Sequence, residues 1–152
     1  MNPQAAQQYL RTKVLTAGPE QLQLMLFDGA LRFGEQARLA LNAKNYEQSF
    51  TMLTRVQKIV AQLTGSLKHD VSPELCGKLA ALYNFAYRKL IDANVKHNVE
   101  SLEEALEVIR YQRETWVILM EQLNKKKAAA AAAKLDVPAP DARMEARISM
   151  QG

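Results

Sequence analysis

The chain has 152 residues, with 20 Lys and Arg against 16 Asp and Glu and a formal net charge of +4. That length suits one domain whose core needs no metal or disulfide, and 48% apolar residues with only six glycines exclude a disordered chain. The charge excludes a basic-stripe nucleic-acid binder: residues 1–124 hold 14 basic against 13 acidic side chains, and the remaining +3 falls in 125–152.

One cysteine, Cys76, allows no internal disulfide and suits a reducing compartment. The first eight residues lack the basic-then-apolar order of a signal peptide, and no apolar run approaches the ~20 residues of a membrane span. A cytoplasmic chain without membrane insertion is expected.

In chain order, residues 1–18 read as a short helix or arm that packs onto the main body, with Tyr9, Leu10, Val14 and Leu15 as its apolar content. Gly18-Pro19-Glu20 then opens a first long helix to about Leu41, since Pro needs no partner at the first helical position and an acid suits the positive helix end. Leu22, Met25, Leu26, Gly29, Phe33 and Ala40 form its main face, with Leu24, Phe27 and Leu31 off it, and Asp28 and Arg32 are spaced to pair. Asn45 looks like an N-cap, with Gln48 completing a capping box. The second long helix places Tyr46, Phe50, Leu53, Val56, Val60, Leu63 and Leu67 inward. Ser72-Pro73-Glu74 starts a third, which buries Leu75, Leu79, Leu82, Ala86, Leu90 and Ala93 and closes near Asn94. Ser101 to Glu104 is a capping box for a fourth, with Leu102, Leu106, Ile109 and Trp116 on its stripe.

Four amphipathic helices joined by short connections predict an all-α, antiparallel, up-down-up-down four-helix bundle over 1–124. Lys125 to Lys127 and six alanines can prolong the fourth helix but have no apolar face to dock, so fraying is expected there. Pro138 and Pro140 then lead into a flexible tail, and the whole of 125–152 is read as separate from the bundle.

Motifs of catalysis are missing. His69 and His97 have no ligand partner one helical turn away, so neither makes a metal site with the helices. Cys76 reads as a small apolar filler, and there is no phosphate loop, nucleophile elbow or zinc-protease motif. No enzyme activity and no cofactor are expected.

The surplus is apolar. On the second helix Met52 and Ile59 lie on one flank of the inward seam, with Val56 and Leu63 between; on the third, Ala80, Tyr87 and Ile91 hold a corresponding flank, with Tyr83 at its margin. Two such flanks make either a groove for an amphipathic partner segment or a wider internal core, and the residues alone allow both. Arg113 falls inside the apolar arc near Trp116, as a side chain whose head reaches water or stacks on the indole.

Three ordered blocks carry a resemblance. Tyr9, Val14, Thr16 and Ala17 precede Pro19-Glu20-x-Leu22 and Met25-Leu26-Phe27-Asp28-Gly29. Leu82-Tyr83-x-Phe85-x-Tyr87-Arg88-x-Leu90 ends in Ala93-Asn94, and Arg113-x-x-Trp116 follows. Together they resemble the flagellin export chaperones, the FliS family. The resemblance implies a non-enzymatic cytosolic bundle that binds the disordered C-terminal segment of flagellin, prevents premature polymerisation and keeps it export-competent, with export-gate components as further partners. Tyr9, Leu10 and Val14 would then cover part of the groove until the client displaces them. Gly18 departs from the family's usual hydroxyl cap, and the tail has no family counterpart. The competing reading is a structural homo-oligomer or adaptor with no flagellin client; a monomer or weak homodimer is expected.

Overall fold

The computed structural model describes residues 2–68, 70 and 72–136. They form five helices, α1 (Pro3–Thr16), α2 (Pro19–Asn42), α3 (Tyr46–Gly65), α4 (Pro73–Lys96) and α5 (Val99–Asp136), and no strand occurs among the described residues. The chain divides into two compact units, Met1–Thr115 and Trp116–Gly152, and α5 contributes to both.

The bundle lies in the first unit. Neighbouring helices run antiparallel, as their cross-links show. Asp28 meets Arg113 while Arg38 meets Glu103, tying α2 to α5 in reversed order. Lys89 meets Glu104 and Asp92 meets Ser101 between α4 and α5. α2 packs along α3 and α3 along α4, completing a ring of four helices around Phe27, Leu53, Val56, Leu63, Leu90, Leu106 and Ile109, all nearly inaccessible. This is the all-α bundle expected from the pattern.

Small residues set the spacing. Ala30, Gly34 and Ala37, which the expected face did not include, form the inner line of α2 together with Ala40, which it did. A side chain at Gly34 would run into Leu106 of α5, so the two backbones approach more closely than any larger residue permits. Phe27, expected off the main face, is a core residue, whereas Leu22 is exposed.

Helix ends follow the expected chemistry with local corrections. Asn45 caps α3 by accepting from the Gln48 N–H at 3.2 Å, but its own N–H donates to the Ala40 carbonyl at 2.8 Å, so the reciprocal half of the capping box is replaced by the preceding helix end. Ser72 makes no side-chain cap, and Pro73 alone opens α4. The box at Ser101 is not formed: Asn98 is the cap, its Oδ1 accepting from the N–H groups of Glu100 (3.0 Å) and Ser101 (3.3 Å). Ser101 is thereby released to donate to Asp92 at 2.5 Å from inside the first turn. α4 runs past Asn94 to Lys96, because His97 takes the left-handed conformation (φ 52°) and stacks on Tyr46 with ring centroids 3.7 Å apart.

Two terminal expectations change. The N-terminal segment is a helix, yet α1 has no buried residue, so it does not pack onto the bundle; Ala17 and Gly18 are extended and end α1 before α2 begins. The α5 helix continues through Lys125–Lys127 and the alanines to Asp136, as alanine's propensity allows. His69 and the Pro-containing stretch 137–152 lie outside the described residues.

Candidate docking surface

The orientation of α3 and α4 decides which apolar residues can meet a partner. On α3 the inward residues are Ser49, Met52, Leu53, Val56, Val60 and Leu63. Phe50, expected inward, is 60% exposed, while Met52, expected on a flank, is 5% exposed. The seam is rotated because Ser49, a polar residue, fits inside: its hydroxyl donates to the Tyr46 carbonyl of its own helix at 3.1 Å. α4 is rotated likewise. Cys76 and Tyr83 are buried, and Leu75 and Leu82 are exposed.

This rotation corrects the predicted groove. Val56, Leu63, Met52 and Tyr83 are core residues in this conformation and line no open surface. Ile59 is half-buried and faces α2, with its Cδ1 within 3.5 Å of where a Cβ on Gly29 would be. Ala80 and Tyr87 are half-buried on α4, and Ile91 is exposed. Of the eight residues singled out, Ile91 alone lies in the open α3–α4 groove.

That groove measures about 320 Å³ and is lined by Phe50, Thr54 and Gln57 of α3 and by Ile91, Asn94 and Val95 of α4. Phe50 and Ile91 are its exposed apolar walls and Val95, 73% exposed, its rim. Across it the Asn94 amide donates to the Gln57 carbonyl oxygen at 3.3 Å. Such a channel, apolar with one polar bridge, suits a segment that presents side chains at helical spacing. Tyr87, one turn before Ile91, extends the same face of α4. Phe50, Thr54 and Gln57 were legible as residues but not as a site, since sequence spacing does not say which flank of α3 faces α4.

A second apolar strip lies on α1. Tyr9 is 68% exposed, and Leu10, Val14 and Leu15 are exposed beside it. Burial pushes the Tyr83 phenol up to about 12, so it stays neutral. The Ser101 hydroxyl and the Lys96 ammonium lower the Asp92 carboxyl below its ordinary value. Cys76 is buried and its thiol donates to the Lys68 carbonyl at 3.3 Å, which fits a packing role.

Asp28 is not the partner of Arg32. It accepts instead from Arg113 of α5 at 2.5 Å, which gives Arg113 a bundle-closing role. The Arg32 guanidinium lies over the Phe33 ring. No group of three or more His, Cys, Asp and Glu that could hold a metal occurs among the described residues, and no described helix is long and apolar enough to cross a membrane.

A family model described as "Flagellar protein FliS" matches residues 1–123. The chain is 32% identical over 115 residues to the flagellar secretion chaperone FliS of Bacillus subtilis, covering 76% of this chain and 84% of that one. It is 31% identical over 112 residues to the Escherichia coli flagellar secretion chaperone FliS, covering 73% of this chain and 82% of that one. A solved structure titled as a flagellar chaperone from bacteria shares the fold, with a TM-score of 0.64 at 18% identity, over 78% of this chain and 97% of that one. The bundle and these likenesses agree: the chain belongs to the FliS family, whose members are flagellar secretion chaperones and not enzymes.

Proposed function

We propose that this chain is a cytosolic flagellar export chaperone that holds the disordered C-terminal segment of flagellin. The observation that carries the reading is the open α3–α4 groove, whose apolar walls Phe50 and Ile91 stand exposed on a closed, well-filled bundle. A disordered client loses entropy when it orders, so it needs an extended apolar surface in return. A rigid bundle confines that ordering cost to the client. Ile91 and, one turn away, Tyr87 are the proposed contacts on α4, joined by Phe50 and Val95; Val56, Leu63, Met52 and Tyr83 belong to the core, and Ile59 faces α2. Tyr9, Leu10 and Val14 on α1 supply a second strip that a wrapping client can also cover, and in this conformation they leave the groove open. Handover to export-gate components then releases the client.

Hydrogen exchange of the full chain with and without flagellin tests the site. Added protection of the α3 and α4 amides around Phe50 and Ile91, and of α1, is the expected pattern. Unchanged exchange on both helices removes the groove from the account. The same apolar walls can pair between two copies of the chain, so a mass that doubles with concentration in the absence of flagellin favours the homo-oligomer instead.

A further inference from the structure

We propose that the α2–α3 face carries a second docking site, separate from the α3–α4 groove, for an acidic peptide segment of a partner protein. The site is a phenyl ring bearing two arginines. The Cζ atoms of Arg32 on α2 and Arg55 on α3 lie 5.3 and 5.2 Å from the Phe33 ring centroid. Both guanidinium groups are on exposed residues, and neither has a carboxylate partner among the described residues.

The fold itself arranges this. Asp28 is spaced to neutralise Arg32 along the helix, but Arg113 of α5 occupies it at 2.5 Å. Arg32 instead lies beside Gly29, its Nη2 3.9 Å from where a Cβ on that glycine would be, and the Ile59 Cδ1 lies 3.5 Å from the same point. Two fork-shaped donors from adjacent helices therefore flank an aromatic ring and an aliphatic side chain. That combination fits carboxylates that alternate with apolar side chains: the forks bind carboxylate oxygens in pairs, and the ring and Ile59 take the apolar neighbours. A nucleic acid fits less well, because its affinity is built from a track of phosphate contacts, and residues 1–124 carry a near-even balance of charge.

The test is fluorescence anisotropy of the full chain with a labelled peptide of alternating glutamate and leucine, beside matched glutamine–leucine and oligothymidine probes. The glutamate peptide should bind best and weaken as salt rises. Arg32→Gln and Arg55→Gln should each weaken it by about tenfold, and the double variant should abolish binding with an unchanged circular dichroism spectrum. Arg32→Lys, which keeps the charge and loses the fork, should fall between. Arg88→Gln, an exposed arginine of α4, should leave it unchanged. The proposal is overturned by no binding of the glutamate peptide, by equal binding of the glutamine peptide, by preference for oligothymidine, or by an equal loss in Arg88→Gln. None of these readouts involves flagellin, so the site stands or falls separately from the client groove.

Discussion

Gly29 and Gly34 are both buried on α2, five residues apart, and have opposite reasons to be there. A methyl on Gly34 would overlap Leu106, a fully packed core residue, so Gly34→Ala should destabilise the bundle by about 1–3 kcal/mol, the usual range for overpacking. A methyl on Gly29 meets Ile59 at 3.5 Å, an ordinary contact, and removes glycine's entropic cost in a helix. Gly29→Ala should therefore be neutral or stabilising, by up to about 1 kcal/mol. Urea unfolding of both variants checks the pair, and similar shifts in the same direction would contradict the close α2–α5 approach. At Asp92 the expectation concerns pH. Hydrogen bonding to Ser101 is the largest reason its carboxyl is lowered from 3.8, followed by Lys96. Because the folded-state value is the lower one, Asp92 contributes stability above the ordinary carboxylate range and loses it as pH falls through the folded value. Ser101→Ala should raise the Asp92 titration midpoint in carboxyl NMR, and an unmoved midpoint would show that the hydroxyl does not hold it.

Among the elements, α5 and α1 separate helix propensity from packing. All of 121–135 is exposed, so its helix rests on alanine's propensity and on no buried face. Deleting residues 125–152 should lower the far-UV helical signal while leaving the melting temperature within a few degrees; a large drop in melting temperature would show that the segment supports the bundle. The helices themselves were legible, because three-and-four apolar spacing marks each long one and prolines open α2 and α4. The rotation of α3 and α4 was not. Phe50 outscores Ser49 as a core residue on hydrophobicity alone, and the order is reversed because Ser49 can be buried with its hydroxyl donating to the Tyr46 carbonyl of its own helix. With that rotation Phe50 is exposed instead of inward, Met52, Val56, Leu63 and Tyr83 fall in the core, and Ile91 lines the open α3–α4 groove. The pairing of Asp28 failed for a related reason, since local spacing favours Arg32 and the fold brings Arg113 closer.

For the whole molecule the central claim is an apolar surface that captures an unfolded flagellar subunit. Its walls should carry the affinity: Phe50→Ala and Ile91→Ala each remove a large exposed contact and should weaken client binding by about tenfold, with little change in stability because both side chains are exposed. The most direct measurement is calorimetry of the full chain against flagellin, intact and lacking its C-terminal segment. The account predicts one-to-one binding with a large negative heat-capacity change, lost when that segment is removed. Equal binding of the two forms, or none by either, would contradict it.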